Sequence, residues 1–434
     1  MQKIVFPIFI LLLVFISCHS PKKTVQTTDM PTKTDSLQQP AQPVKDLLLV
    51  KLMQSSPQYF EKILADPNQY RVQIIYTEID RGKNGIPKFT DHFFNVSDQY
   101  FYPASTVKFP VVLLALQKIN ELNIAGLDKN TTMITEAAYS GQTAVYNDPQ
   151  AADGRPTIAN YIKKILLVSD NDAFNRLYEF LGQEYINNTL HKMGYDSVQI
   201  IHRLDIFLTE VENRYTNPVK FLDTANHVMY EKPLQKSQLP YATRNDRLGV
   251  GYYSDGKLVN KPFVFSKKNR LGLADLHSML KSVFFPEKVE KKKRFNLTKD
   301  DYRFVQKYMS MFPAESKFPS YDSTYQDAYS KFLLWGETKE KLNGDVRIFH
   351  KSGDAYGFYT DVAYVVDFKN NIEFMLSATI LANSDGIFND DHYDYETVAM
   401  PFLKNLGEVI YQYELQRSRK HKPDLSLLKF NYSQ

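Results

Sequence analysis

The motif Ser-x-x-Lys occurs five times, starting at Ser20, Ser105, Ser254, Ser278 and Ser426, so the spacing alone selects nothing. Only Ser105-Thr106-Val107-Lys108 opens a strongly apolar helical run, FPVVLLALQKINEL. At a helix start, side chains three positions apart share one face and come within hydrogen-bond reach. Free N–H groups and the positive dipole end of the first turn favour negative charge developing beside them. A serine hydroxyl is a weak nucleophile that needs a base, and a lysine whose pKa is depressed by burial can serve as one. The plainer alternative is a capping serine beside a solvated first-turn lysine. Two further triplets bear on that choice. Ser169-Asp170-Asn171 occurs once, directly after the apolar run ILLV, and Lys351-Ser352-Gly353 occurs once, at the end of the strand-like VRIFH.

The order Ser-x-x-Lys, Ser-Asp-Asn, Lys-Ser-Gly resembles the signature of class A β-lactamases and penicillin-binding proteins. The likeness extends to SDNDAFNRLYEFLG, with Asn175, and to KSGDAYGFYTDVAYVV, and covers about 300 residues of the chain. By that resemblance Ser105 is the acylated nucleophile and Lys108 its proton acceptor or relay. Ser169 passes a proton to the leaving nitrogen, and Asn171 orients the substrate amide and Lys108. Lys351 and Ser352 bind the substrate carboxylate, with Lys351 adding positive potential near Ser169. Gly353 lies in the same substrate-binding strand. The backbone N–H groups of Ser105 and Asp354 form an oxyanion hole, where one lost donor costs about 100–1,000-fold in rate. The resemblance implies no metal or other cofactor.

The chain departs from that family in two places. Class A enzymes activate the deacylating water with a glutamate. In the corresponding register this chain has Arg203-Leu204-Asp205, with Thr209 where the family has Asn. Aspartate is one methylene shorter, and a misplacement of ~1 Å can cost about 100-fold. Glu210 and Glu212 are nearby acids that could substitute, and Asp205 could instead be a simple partner for Arg203. The stretch from Ser169 to Lys351 is also much longer than in a compact class A enzyme, with the excess in 219–268 and 312–340. These segments could cover the cleft, bind a partner, or bear on neither.

Periodicity supplies the elements that must position these groups. Residues 46–65 read as one kinked helix or two short ones about Pro57, 71–79 and 90–97 as strands of a hairpin linked by 82–89, and 157–168 and 171–194 as helices, the latter capped by Gly194. Pro110 falls near the start of the apolar helix. Residues 219–268 are mixed, with a hairpin about Asp255-Gly256. Helices follow at 272–284 and 298–311, then strands at 346–350, 360–366 and 372–381 and a C-terminal helix at 392–417. The expected fold is α/β (α+β): one antiparallel sheet from the two ends of the chain, flanked by helices, plus a helical lobe, in the β-lactamase/transpeptidase-like manner. Most of the 29 Tyr and 29 Phe fall on apolar strands and helices, which points to core packing rather than a sugar-binding face. His350 is read as a packing residue.

Composition sets the outer limits. Of 434 residues, 43% are hydrophobic and 24% charged, the proportions of a globular chain. Lys+Arg is 53 against Asp+Glu 49, net +4, which gives no electrostatic case for nucleic acid. Cys18 is the only cysteine, so internal disulfides and thiolate metal clusters are excluded. The apolar run 4–16 is too short to span a membrane and fits a leader core. Its end, Phe15-Ile16-Ser17-Cys18, resembles a bacterial lipobox, in which the cysteine becomes the lipidated first residue. The expected layout is a leader at 1–17, a flexible Ser/Thr/Gln/Pro tether at 18–45 and the hydrolase domain at 46–434. The expected setting is the bacterial cell envelope, periplasmic or on the cell surface. The expected reaction is attack of Ser105 on a β-lactam amide, followed by hydrolysis of the acyl-enzyme. Two rivals stay open: a peptidase acting on D-Ala-D-Ala-like cell-wall peptides, and a surface-tethered binding protein that kept the fold.

Overall fold

The computed structural model describes residues 46–432; the expected leader, tether and lipidated Cys18 lie outside them. Among the described residues the α-helices are α1 (Leu47–Gln54), α2 (Pro57–Ala65), α3 (Lys108–Leu122), α4 (Ile158–Val168), α5 (Asn171–Leu181), α6 (Gln183–Lys192), α7 (Glu210–Arg214), α8 (Leu273–Phe284), α9 (Lys299–Ser310) and α10 (Met400–Gln416). The central sheet has five strands, β1 (Gln73–Arg81), β2 (Pro87–Phe94), β3 (Val346–Ala355), β4 (Phe358–Asp367) and β5 (Ile372–Leu381). They pair antiparallel in the order β3-β4-β5-β1-β2, so the two ends of the chain do build one sheet.

Alternation along each strand divides the core. In β4, Tyr359, Ala363 and Val365 join Leu49, Phe60, Leu403 and Leu406 from α1, α2 and α10 on one face. Val362, Tyr364 and Val366 join the helical lobe on the other, with Leu276 and Leu280 of α8. Helix α3 is buried around most of its circumference, Val111 to Leu116 included, as an apolar-all-round helix must be. Each such Leu contributes roughly 1.5–3 kcal/mol by leaving water. Pro110 sits in its first turn, where a missing N–H costs little. The architecture is mixed α/β, an antiparallel sheet flanked by helices with a helical lobe, and matches the β-lactamase/transpeptidase-like fold.

Several boundaries differ from the sequence expectation, each for a local reason. Pro57 begins α2, so residues 46–65 form two helices. Gly182, at φ +77°, ends α5, and the expected helix 171–194 is two helices. Strand β3 continues to Ala355, so Lys351-Ser352-Gly353 lies inside it rather than at its end. The C-terminal helix starts at Met400 after a π-turn at Tyr395–Ala399. The hairpin about Asp255-Gly256 forms, with φ of +51° and +73° at the two turn residues.

Segment 312–340 is irregular but anchored. The backbone N–H groups of Phe332 and Leu333 each donate to Asp361 Oδ2 at 3.1 Å, and His350 Nδ1 lies 3.1 Å from the other oxygen. His350 is thus buried, as expected of a packing residue, within a polar cluster that includes Lys331 Nζ at 3.2 Å. A second buried anchor holds the loop after α6. Arg203 donates to Glu179 Oε1 of α5 at 2.8 Å, and Arg176 donates to the other carboxylate oxygen at 3.0 Å. Glu179 and Arg203 are 2% and 3% exposed. Removing a carboxylate between two buried guanidiniums leaves uncompensated charge, so Glu179→Ala should lower the stability of the protein by ~3–5 kcal/mol in urea unfolding. A loss under about 1 kcal/mol, the value of a surface pair, would show that this pair does not hold the loop.

Candidate active site

Ser105 lies in a single 3-10 turn, Ala104–Val107, that runs directly into α3. Ala104 has φ +44°, a conformation costly for a residue with a Cβ. The surroundings fix it there. Thr106 donates from both its N–H (3.0 Å) and its hydroxyl (2.6 Å) to Pro103 O. Behind the turn runs β3. A Cβ added to Gly353 would stand 2.6 Å from Ser105 N and 2.8 Å from Thr106 N. Only glycine lets the strand come this close, which explains a glycine after Lys351-Ser352.

Lys108 is fully buried at the foot of the cleft. Its Nζ lies 2.8 Å from Ser105 Oγ, 2.6 Å from Asn171 Oδ1 and 3.2 Å from Ser169 Oγ, and it also donates to the Ser169 carbonyl oxygen. Ser169 itself has φ +60° and ends α4, and Asp170 starts α5 by accepting from Ala173 N at 2.8 Å. The left-handed serine between two helices is what turns both its carbonyl and its hydroxyl toward Lys108. Lys351 Nζ donates to Ser169 Oγ at 2.9 Å and to Ser352 O at 2.6 Å. The three triplets, far apart in sequence, therefore meet around Ser105.

Burial, and secondarily the positive charge of Lys351, holds the Lys108 amine well below the ordinary lysine range. Burial brings Lys351 to about 7. A neutral Lys108 has two N–H donors and one lone pair. The Ser169 carbonyl and Asn171 Oδ1 can only accept, so they take both donors and leave the lone pair for the Ser105 hydroxyl.

The remaining expected site residues are placed as follows. Asp205 lines the cleft and accepts from Asn171 Nδ2 at 3.3 Å. Its loop is tied down next door: Asn175 Nδ2 donates to Leu204 O, and Leu204 N donates back to Asn175 Oδ1, both at 2.9 Å. Arg203 pairs with Glu179, which removes the reading of Asp205 as its partner. Glu210 pairs with Lys267 and Arg214, and Glu212 caps α7 through Thr209, so both are engaged away from Ser105. Ser352 is buried, with Oγ donating to Ser330 O at 2.6 Å and 2.8 Å from Ser330 Oγ. Ser330, bonded to Ser352, lines the cleft. Asp354 presents its side chain to the cleft.

The cleft has two arms. One, of about 510 Å³, is lined by Tyr102, Ser105, Asp205, Asp354, Tyr356 and Tyr393 among others. The second, of about 560 Å³, runs past Ser169 and Asn171 to Tyr325, Tyr329, Ser330 and Glu337. Segment 312–340 is thus a cleft wall. The other excess segment contributes Phe263, stacked on Tyr356, and Phe265, edge-on to it. Sequence reasoning missed Ser330, Glu337 and the tyrosine walls, because no motif marks them and only the folded topology brings them to Ser105. Among the described residues no cluster of His, Cys, Asp and Glu is arranged to hold a metal ion, and no helix is long and apolar enough to cross a membrane.

A profile of the Beta-lactamase enzyme family matches residues 58–239, less than half of the chain. That span includes Ser105, Lys108, Ser169, Asn171 and Asp205 but ends before Lys351. No curated protein matches the chain. Among solved structures it is similar to a β-lactamase from Xanthomonas campestris pv. campestris, with 12% identity over 84% of this chain and 97% of that one at TM-score 0.45. It is also similar to PBP-A, with 16% identity, 86% and 99% coverage and TM-score 0.45, and to the β-lactamase from Streptomyces albus G, with 11% identity, 85% and 98% coverage and TM-score 0.43. At these values the structural likeness is one of outline and assigns no residue a role. Residues 58–239 are thus similar to the Beta-lactamase enzyme family, and the sheet order and helical lobe have the β-lactamase/transpeptidase-like arrangement.

Proposed function

We propose that the protein is a serine hydrolase of class A β-lactamase type that opens β-lactam rings through an acyl-enzyme on Ser105. The observation that carries this reading is the placement of Lys108 Nζ, 2.8 Å from Ser105 Oγ with its N–H donors directed at two obligate acceptors. The neutral amine takes the Ser105 proton as Oγ attacks the lactam carbonyl. The oxyanion develops against the N–H groups of Ser105 and Asp354. Ser169, which reaches both Lys108 and Lys351, passes the proton to the departing nitrogen, and Lys351 supplies positive potential for the substrate carboxylate. Asp205, held beside Asn171, activates the water that releases the acyl group. With lipid attachment at Cys18 and a tether at 18–45, the enzyme works at the cell envelope, membrane-anchored and periplasmic or surface-exposed.

One observation favours a second reading, a peptidase on D-Ala-D-Ala-like cell-wall peptides. The acid in the deacylation loop is the shorter aspartate, and a slowly cleared acyl-enzyme suits acyl transfer from a peptide. Turnover of a chromogenic cephalosporin against trapping by labelled penicillin separates the two. Steady turnover that is lost in Ser105→Ala supports the β-lactamase; a stable adduct without turnover supports the peptidase; no adduct with either probe contradicts both.

Two predictions follow from the roles. The base form of Lys108 is the active one, so acylation should fall as pH drops through its depressed pKa. In the free protein Lys351 loses its charge as pH rises through about 7, so KM for anionic β-lactams should rise above that point. A profile flat from about pH 5 to about pH 9 in both parameters would contradict the assignment. In Asp205→Asn, acylation should stay within about threefold while release of the acyl group slows by roughly 100-fold, the contribution of a positioned general base. An unchanged release rate would take Asp205 out of the mechanism.

A further inference from the structure

The cleft is one-sided in charge. The charged side chains lining its two arms are all carboxylates: Asp170, Asp172, Asp205, Glu337, Asp354 and Asp391. An adjoining hollow of about 690 Å³ shares Glu337, Asp354, Asp391, Tyr393 and Tyr395 with them and adds further acids. Of the lysines near it, Lys108 and Lys351 are buried and bonded to Ser105, Ser169, Asn171 and Ser352, and Lys268 stands 3.3 Å from Tyr356 Oη and 5.5 Å from that ring's centroid. Among the described residues neither Asp354 nor Asp391, both exposed where they line the cleft, has a salt-bridge partner.

These carboxylates stand beside fixed aromatic faces. Tyr102 and Tyr356 meet at 90° with ring centroids 5.0 Å apart, and Tyr393 lies 5.4 Å from Tyr395. The wall carrying Asp391 is held in place: Asn389 N donates to Tyr393 Oη at 2.9 Å, Gly357 N donates to Tyr395 Oη at 2.9 Å, and Asn389 Nδ2 donates to Tyr253 O at 3.2 Å. Tyrosine faces beside unpaired carboxylates, in a partly desolvated cleft, attract an organic ammonium by two independent terms. They repel a second carboxylate, which is how a site rejects the wrong substrate.

Resting on the Ser105 reading, we infer that this cleft selects acyl donors that carry a primary ammonium on the acyl side of the scissile amide, and that Asp391 with Tyr393 is the specificity-determining wall. Substrates with a neutral side chain are accepted less well, and those with an anionic side chain are disfavoured.

The test compares acylation of the full chain by three penicillins that differ only in this group: an α-amino, an unsubstituted benzyl and an α-carboxy penicillin. The second-order acylation constant should fall in that order, with at least a tenfold gap between the ends at low salt, narrowing as ionic strength rises. In Asp391→Asn the amino-to-carboxy ratio should shrink at least about threefold. Equal constants, a reversed order, or a ratio indifferent to salt and to Asp391→Asn would overturn the inference while leaving Ser105 acylation standing. Failure of all three penicillins to label the protein would overturn the Ser105 reading and this inference with it.

Discussion

The site is organised around one buried amine. An ammonium enclosed by protein beside a second cation is disfavoured, and deprotonation relieves both the desolvation and the repulsion from Lys351. The neutral amine then has one geometry that satisfies the Ser169 carbonyl, Asn171 and Ser105 together. Each neighbouring feature serves that arrangement. The left-handed turn at Ser169 brings a carbonyl that would otherwise end a helix, the 3-10 turn presents Ser105, and Gly353 lets β3 close on its back.

The same economy explains where rigidity is spent. The loop that carries Asp205 buries Leu204 in the core of the helical lobe, and Arg203, Asn175 and Asn213 fasten it to α5 and α7 through buried polar contacts. Asp205 is then placed by its neighbours and by the bond it accepts from Asn171 Nδ2. In the opposite wall, Asp361 binds two backbone N–H groups of segment 312–340 and His350 at once, so an irregular stretch is held as firmly as a strand.

The fold was legible in the sequence wherever burial imposes a period. The near-continuous apolar runs at 360–366 and 372–381, buried on both faces, and the all-round apolarity after Lys108 locate the central sheet and α3. The motif triplets were legible as particular residue types at short spacing, and the structure links Ser105, Asn171 and Lys351 through Lys108 and Ser169. Boundaries failed where one residue overrides a period, as Gly182 does between α5 and α6. Ser352 lies on the same face of β3 as Asp354, and its hydroxyl is taken up by Ser330, a residue from a segment with no motif. Glu337, Asp391, Tyr393 and Tyr395 were invisible for the same reason: they arrive from 312–340 and 383–395 by tertiary packing alone.

The most direct test of the account is the protonation state of Lys108 itself. In protein labelled with carbon-13 at the lysine side chains, the Lys108 signal, identified by its loss in Lys108→Met, should titrate well below the ordinary lysine value of 10.5. Its midpoint should rise in Lys351→Ala, where the neighbouring charge is gone. A Lys108 that stays protonated up to the ordinary lysine range would contradict the account, because no base would then stand beside Ser105.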